Sequence, residues 1–205
     1  MPRIQIDKLA ATPLAREPYD YVVVPGFLPQ PALEQVVADY PQLKAGSYPL
    51  GEVAVTPALQ ALINELDGPE FERAIERKFN VDLAGKPKMY SLRGYCRATD
   101  GKIHTDSKDK IITVLLYLND GWQKPGGRLR VLNNGTSLTD FAAEVPPDNG
   151  TLLAFKRSEN SWHGHESFEG ERRSIQMNWM TSDGTRGFHK LRHQISARFK
   201  KLVAA

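Results

Sequence analysis

The stretch KIITVLLYLN, residues 110–119, is the clearest indication of the fold class in this sequence. It is a short run of β-branched and large apolar residues, and such runs favour β-strands. Residues 87–180 contain five further runs of this kind, separated by Gly, Asn, Asp and Pro: PKMYSLRGYC, GRLRVLNN, GTLLAFKR, SWHGHESF and RRSIQMNWM. Several short strands with turn residues between them indicate an antiparallel sandwich or barrel.

Helical patterns flank this strand-rich part. One more strand is predicted at residues 21–24, and helices are predicted at 31–40, 57–66, 69–79 and 186–203. The third of these helices has its large apolar residues at i, i+4 and i+8, on one face: Phe71, Ile75 and Phe79. We therefore expect an α+β, mainly β fold, in which N-terminal helices pack on one side of a double-sheet jelly roll and a C-terminal helix follows.

Length and charge limit the domain count and the kinds of partner that we expect for this protein. The 205 residues are enough for one large domain, which we divide into an N-terminal part (1–86), a β core (87–181) and a C-terminal helix (182–205). The chain has 27 basic and 24 acidic residues and a net charge of +3. Because this excess is small, the charge gives no reason to expect a nucleic-acid partner.

The single cysteine, Cys96, excludes an intrachain disulfide and a Cys-rich zinc site. A reducing, cytoplasmic location is the natural expectation for such a chain. The first residues do not resemble a signal peptide, and the longest apolar runs are shorter than the ~20 residues of a membrane helix. We expect no membrane association, and the sequence does not indicate an oligomeric state.

His104 and Asp106 precede the strand at 110–119 and are the first candidate site residues. Side chains two positions apart on a strand lie on the same face, so both could point into one cavity. His163 lies 59 residues after His104, in a predicted strand. Two histidines and a carboxylate are the ligands of a non-haem Fe(II) facial triad. Taken alone, the His104–Asp106 pair is more typical of a solvated loop histidine beside an acidic residue.

Arg172 and Tyr117 are candidates for binding an anion. Arg172 lies nine residues after His163, and a guanidinium inside a barrel needs an anionic partner because an unpaired buried charge is costly. Its planar geometry suits a carboxylate. Tyr117 could donate a hydrogen bond to the same carboxylate. The alternatives are a surface turn arginine and a half-buried core tyrosine.

The ordered set of motifs resembles the Fe(II)/2-oxoglutarate-dependent oxygenases, and among them the prolyl-4-hydroxylase-like group. The resemblance covers roughly residues 20–181. Its motifs are, in order, VVVPGFLP near the start, HTD at 104–106, VLLYLN at 114–119, Trp122 with GGRLRV, PPDNGTLLAF at 146–155, His163, and GERRSIQMNW at 170–179. It implies a double-stranded β-helix core, Fe(II) as cofactor, 2-oxoglutarate as co-substrate and O2 as oxidant, with ascorbate as a candidate additional cofactor.

The resemblance also implies residue roles. His104, Asp106 and His163 would bind Fe(II) and form the catalytic centre. Arg172 would pair with the C5 carboxylate of 2-oxoglutarate, assisted by Tyr117. Gln176 shares the strand face of Arg172 and could line the same pocket. Similar proteins use a tyrosine near the co-substrate on the strand before the His-x-Asp motif, for which Tyr95 is our choice.

Several neighbouring residues compete for these roles. His165 is a rival to His163, although only His163 has the family spacing to Arg172. Arg173 is a rival to Arg172, and strand alternation allows only one of the two inside. Tyr90 could replace Tyr95 near the co-substrate, and Arg93 could contact an acidic group of the substrate. A structural aromatic on the sheet is the alternative for either tyrosine.

Three classes of function remain open from the sequence. The first is an oxygenase that hydroxylates a C–H bond and releases succinate and CO2. The second is a jelly-roll module, cupin- or lectin-like, that holds a metal or an anion without turnover. The third is an interaction domain that docks a partner through its basic C-terminal helix, where His189 and His193 form a solvated i, i+4 pair. The substrate is not indicated: a peptidyl residue, a free amino acid, a sugar or another small metabolite all fit.

Overall fold

The structure, a computed structural model, describes residues 4–181. Its helical elements precede the strand-rich part, as the sequence predicts. They are α1 (Ile6–Ala11), α2 (Gln30–Ala38), a single 3-10 turn (Leu50–Glu52), α3 (Pro57–Asp67) and α4 (Pro69–Phe79).

Nine strands are found in the described residues. They are β1 (Tyr21–Val24), β2 (Tyr48–Pro49), β3 (Lys88–Cys96), β4 (Lys110–Tyr117), β5 (Leu129–Leu132), β6 (Phe141–Val145), β7 (Leu152–Lys156), β8 (His163–Gly164) and β9 (Gly170–Met180). They form a six-stranded sheet in the order β1-β7-β4-β9-β3-β2 and a three-stranded sheet in the order β6-β5-β8. Every named pair of strands is antiparallel.

Local sequence explains where α3 and α4 begin and end. The Thr56 hydroxyl accepts the backbone N–H of Leu59, which caps α3 just before Pro57. Pro69 starts α4 with a backbone angle that is already helical. Asn80 ends α4 in the left-handed conformation, with φ of 49°, which Asn tolerates better than most residues.

Strand alternation on β9 separates two environments. Ile175, Met177 and Trp179 point to one face of the six-stranded sheet and are buried against the helices. Arg172 and the other alternate residues point to the opposite face, because successive side chains of a strand alternate. The large apolar core therefore lies between the helices and one face of this sheet. Residues of α2, α3 and α4 complete it: Leu33, Val36, Leu59, Leu62, Ile63, Leu66, Phe71, Ala74, Ile75 and Phe79.

The opposite face of the six-stranded sheet packs against the three-stranded sheet. Tyr117 and Phe155 of the large sheet share an apolar cluster with Leu129, Val131 and Val145 of the small one. Two antiparallel sheets that face each other, with helices on one outer face, confirm the predicted mainly β jelly roll.

The predicted helices at 57–66 and 69–79, the strand at 21–24 and all six strand runs are confirmed to within a few residues. The helix predicted at 31–40 spans Gln30–Ala38. The sequence did not indicate α1, β2 or β6; the sequence of β6 is FAAEV, whose two alanines have low strand propensity. No helix in residues 4–181 has the length and apolarity to cross a membrane.

The predicted C-terminal helix, with His189 and His193, lies outside the described residues. The division into one domain with three parts stays a prediction.

Candidate metal centre

His104 and His163 are brought together by a backbone bridge. Each residue's N–H donates to the other's carbonyl oxygen at 3.0 Å, in an isolated antiparallel bridge. Directly opposite residues of such a pair carry side chains on the same face. The two imidazole rings accordingly lie with their centroids 4.3 Å apart.

Each of these rings also contacts a backbone carbonyl. His104 Nδ1 lies 2.8 Å from the carbonyl oxygen of Lys102, and His163 Nδ1 lies 2.9 Å from that of Ser161. A carbonyl oxygen only accepts, so each Nδ1 carries the proton and donates it. In the neutral ring this leaves the lone pair of Nε2 available for a metal ion.

Asp106 lies in the segment that leads into β4, beyond the bridge at His104. No regular strand spans His104 to Asp106: His104 forms only the isolated bridge, and a turn closed by the Lys110 N–H and the Ser107 carbonyl follows Asp106. The two side chains nevertheless reach one cluster, as expected. The buried Asp106 carboxylate accepts hydrogen bonds from Lys110 Nζ at 2.7 Å and from Thr113 Oγ1 at 2.5 Å. These bonds fix its orientation.

The electrostatics keep both buried donors in the forms that bind metal. Burial alone would raise the pKa of Asp106, but Lys110 and His163 and the two hydrogen bonds outweigh it and hold the pKa below its usual value. Burial lowers the pKa of His163 to about 4, although Asp106 opposes that shift. At neutral pH the carboxylate is therefore ionised and the imidazole is neutral.

His104, Asp106 and His163 together can hold a metal ion, because one ligand atom of each lies within 4.8 Å of the others. Two imidazole nitrogens and one carboxylate oxygen are the donor set preferred by non-haem Fe(II). The donor chemistry of this cluster therefore fits the implied iron. His104 is exposed whereas the other two are buried, so the cluster is open on the His104 side.

A cavity of about 400 Å³ contains this cluster and extends to Arg172. His163 belongs to β8 of the small sheet and Arg172 to β9 of the large sheet, so the two residues line the cavity from opposite walls. The Arg172 Nε donates to the carbonyl of Gly127 at 2.8 Å, and its guanidinium carbon lies 5.2 Å from the centroid of the Tyr117 ring. Arg172 is held in one position by these contacts.

Three buried polar atoms around Arg172 have no hydrogen-bond partner among the described residues: Arg172 Nη2, Tyr117 Oη and Ser174 Oγ. Burial is the main cause that raises the pKa of Tyr117, so its hydroxyl keeps its proton and can donate. Buried polar atoms without a hydrogen-bond partner destabilise the fold unless a bound ligand supplies that partner. Arg172 and Ser174 line the cavity, whereas Tyr117 is fully buried beside them and is not one of the lining residues. A guanidinium with neighbouring hydroxyls suits a carboxylate, which fits the implied co-substrate.

The other predicted co-substrate residues fall on both faces of the large sheet. Gln176 and Tyr95 line the cavity, and Tyr95 is 38% exposed at its edge. Arg93 also lines it. Tyr90 packs on the opposite face against the helix core, and its hydroxyl donates to Asp67 at 3.1 Å. The suggestion that Tyr90 could reach the co-substrate was therefore wrong.

The structure also places the two rival residues. Arg173 points to the other face of β9, where it forms an ion pair with Glu171. His165 lines the cavity, but its ring contacts the Glu166 carbonyl and Cys96 Sγ and is not part of the three-residue metal cluster. His163 and Arg172 are thus the members of each pair that the geometry favours.

Sequence reasoning missed three residues of the site: Lys110, Thr113 and Ser174. The signal for Lys110 and Thr113 was present, since both lie at the start of a strand directly after the His-x-Asp motif. Ser174 is two residues beyond Arg172, on the same strand face. A small hydroxyl residue on a strand is too common to single out without its neighbours.

Comparison with known proteins supports this description. Residues 90–181 match the family model of the 2OG-Fe(II) oxygenase superfamily. No curated protein matches the sequence well enough to count as a relative.

Solved structures share the fold. One is a prolyl-4-hydroxylase from Pseudomonas putida, with 21% identity, a TM-score of 0.58, and coverage of 86% of this chain and 90% of that one. A prolyl hydroxylase from Trichoplax adhaerens, in complex with a hypoxia inducible factor peptide fragment, has 18% identity, a TM-score of 0.54 and coverage of 85% and 86%. HygX from Streptomyces hygroscopicus, with iron bound, has 14% identity, a TM-score of 0.54 and coverage of 89% and 87%.

At these identities the solved structures show a common fold, and the likeness to the oxygenase superfamily in sequence comes from the match over residues 90–181. Those residues include all the strands from β4 onward, all but two residues of β3, and every member of the His104, Asp106 and His163 cluster. This part of the chain therefore matches the 2OG-Fe(II) oxygenase superfamily in sequence.

Proposed function

We propose that this chain is an Fe(II)- and 2-oxoglutarate-dependent dioxygenase that hydroxylates a C–H bond of a peptidyl residue or small metabolite. One cavity contains both a three-donor metal cluster and a buried guanidinium with an unpaired nitrogen. That combination carries the proposal, because a metal-binding module alone would not need the second feature.

The residues of the metal cluster have defined tasks in this proposal. His104 and His163 would bind Fe(II) through Nε2, since their Nδ1 protons are engaged by backbone carbonyls. Asp106 would bind it as a carboxylate that Lys110 and Thr113 keep in place. Three protein ligands leave the remaining coordination positions for the co-substrate and O2.

The residues around Arg172 would hold 2-oxoglutarate. Arg172 Nη2 and Tyr117 Oη would donate to its C5 carboxylate, since neither has a hydrogen-bond partner in the described part of the chain. Ser174 Oγ and Gln176 would complete the same side of the pocket, and Tyr95 would border it. Burial excludes water from this end, which strengthens each charged hydrogen bond.

When bound, Fe(II) supplies the oxidative chemistry: 2-oxoglutarate and O2 yield succinate and CO2, and one oxygen atom enters a C–H bond of the substrate as a hydroxyl. The protein contributes positions and exclusion of water. Ascorbate stays a proposed additional cofactor. The structurally similar prolyl hydroxylase from Trichoplax adhaerens was solved in complex with a peptide fragment, which makes a peptidyl substrate one candidate. We expect no nucleic-acid partner and a cytoplasmic location.

Calorimetry tests the metal-coupled binding that the proposal requires. 2-Oxoglutarate should bind the wild-type chain loaded with Mn(II), and it should bind neither the metal-free protein nor Asp106→Ala. Under air with Fe(II), the wild type should then convert 2-oxoglutarate to succinate above an iron-only blank, measured by NMR, and ascorbate should raise the yield. Binding of 2-oxoglutarate without any succinate would favour the jelly-roll binding module instead.

A further inference from the structure

Arg93 is a second arginine that lines the cavity, where it is partly buried, and the proposed function does not use it. It lies on β3, where its Cα pairs with that of Ser174 on β9. We propose that Arg93 binds a carboxylate of the primary substrate, so that the enzyme acts on carboxylate-bearing molecules. This inference rests on the proposed function, because it concerns the substrate of the same site.

The Arg93 guanidinium has no partner among the residues that the structure describes. Within residues 4–181 it makes no side-chain hydrogen bond or ion pair; its backbone carbonyl accepts from Tyr40 Oη at 3.0 Å. The acidic side chain that acts on it, Asp100, is already bound by the backbone N–H of Arg97 at 2.9 Å and by the Arg97 side chain at 3.4 Å. A partly buried cation without a counter-ion is costly, which points to a ligand as its partner.

Arg93 is separated from the proposed co-substrate pocket by Ser174. The Cα partner of Ser174 is Arg93 on one side and Tyr117 on the other. Arg172 is held on the Tyr117 side by the Gly127 carbonyl and the tyrosine ring. A carboxylate bound by Arg172 and Tyr117 therefore leaves Arg93 available for a second anion.

The surroundings of Arg93 are those of a substrate entrance. Tyr95, two positions along the same strand, is 38% exposed and lines the cavity edge. Burial and, after it, the positive charge of Arg172 lower the pKa of Arg93, and both residues line the same cavity. An anion beside Arg93 would oppose these effects by favouring the charged guanidinium.

The charge of the filled site also favours an anionic substrate. Lys110 neutralises Asp106. Lys102 and Asp100, which also line the cavity, carry opposite charges. The two negative charges of 2-oxoglutarate would balance the two positive charges of Fe(II), and Arg172 and Arg93 would remain as the positive excess. A substrate carboxylate is the simplest group that reduces this excess, and its two oxygens match a guanidinium bidentately.

The test uses the chain loaded with Zn(II), which is redox-inert and diamagnetic, and saturated with 2-oxoglutarate. Free L-amino acids are titrated against their primary amides, and acetylated peptides containing Glu are titrated against the same peptides with Gln. The signal is the side-chain Nε–H resonance of Arg93 in NMR, assigned by its loss in Arg93→Lys. The titrations with free amino acids and those with peptides distinguish a small-molecule substrate from a peptidyl substrate.

At least one acid should bind about tenfold or more tightly than its amide and shift the Arg93 resonance. Arg93→Gln should remove that preference and change the dissociation constant of 2-oxoglutarate by less than about threefold, because Arg172 still holds it. Arg16→Gln, an exposed arginine outside the cavity that pairs with Asp20, should preserve the preference.

Two results would overturn the inference. One is equal binding of acid and amide in every pair, or no shift of the Arg93 resonance with any acid. The other is a loss of about tenfold or more in 2-oxoglutarate affinity in Arg93→Gln, which would assign Arg93 to the co-substrate. Failure of wild type to bind Zn(II) and 2-oxoglutarate would instead reject the proposed function, and that outcome is visible before any acid is added.

Discussion

Arg172 and Tyr117 are stacked side chains that each keep a buried polar atom without a partner. The guanidinium carbon lies 5.2 Å from the centroid of the tyrosine ring, and within residues 4–181 neither Arg172 Nη2 nor Tyr117 Oη has a hydrogen-bond partner. Two neighbouring strands, β4 and β9, thus bring two buried polar atoms without partners into the same part of the fold. This arrangement accounts for carboxylate binding more directly than either residue alone.

Replacing Arg172 should weaken 2-oxoglutarate binding. Arg172→Gln removes a charged donor, and we expect the dissociation constant for 2-oxoglutarate to rise by about tenfold or more in Mn(II)-loaded protein. Arg173→Gln is the matched control, since the adjacent arginine points to the other face and pairs with Glu171. Calorimetry measures both, and an equal loss in the two variants would contradict the assignment.

The tyrosine hydroxyl should contribute a smaller part of the same affinity. Tyr117→Phe deletes only one neutral donor, so the dissociation constant for 2-oxoglutarate should rise by about threefold to tenfold. Tyr90→Phe serves as the control, because Tyr90 lies on the opposite face of the sheet and its hydroxyl contacts Asp67. An unchanged affinity in Tyr117→Phe would show that the hydroxyl does not contact the carboxylate.

The choice between His163 and His165 is open to a direct test of metal binding. His163→Ala should weaken Mn(II) binding by roughly 100-fold or more, because it removes one of three ligands. His165→Ala leaves all three donor atoms of the cluster in place and should change the affinity far less. Electron paramagnetic resonance of free Mn(II) reports both values. The reverse order would make His165 the ligand.

The helix layer should supply much of the stability of the fold. Phe71 on α4 is fully buried and packs against Phe27 and Trp179, with ring centroids 5.8 and 6.0 Å away. Phe71→Ala should lower the free energy of unfolding by about 3–5 kcal/mol. Arg73→Ala, exposed on the same helix, should stay within about 0.5 kcal/mol of wild type in urea denaturation. A small effect in Phe71→Ala would contradict the described packing.

Cys96 should react slowly with alkylating agents. Burial is the largest influence on its thiol and raises the pKa, and Arg172 opposes this only in part. A raised pKa means less thiolate at any pH below it, so the rate should increase at a higher pH than for an exposed cysteine. At pH 8, iodoacetamide should label the native chain at least about tenfold more slowly than the urea-unfolded chain. Equal rates would show that the thiol is accessible.

The elements that the sequence predicts well are those with local patterns. Phe71, Ile75 and Phe79 recur at helical spacing, and the strand runs alternate with turn residues, so α4 and most strands follow from neighbours in the chain. β6 was missed because two alanines weaken its pattern. Its pairing with β5 is a contact between distant segments, which propensity does not report.

The site was predictable in its residue types but not in its arrangement. His104, Asp106, His163 and Arg172 were found because a known set of ligand types occurs in a known order. The position of Ser174 between Arg93 and Tyr117 depends on the register of three strands, which the sequence does not specify. Alternation alone puts Tyr90 and Arg93, three positions apart on β3, on opposite faces. Which of the two faces lines the cavity depends on the same register, so Arg93 could not be chosen over Tyr90 in advance.

Anaerobic absorbance spectroscopy tests the central claim most directly. Fe(II) and 2-oxoglutarate are added to the metal-free chain, and a weak visible charge-transfer band is sought, as a 2-oxo acid chelated to Fe(II) produces. We predict the band in wild type and in His165→Ala, and its loss in Asp106→Ala and His163→Ala. Its absence from folded wild-type protein would contradict the oxygenase assignment.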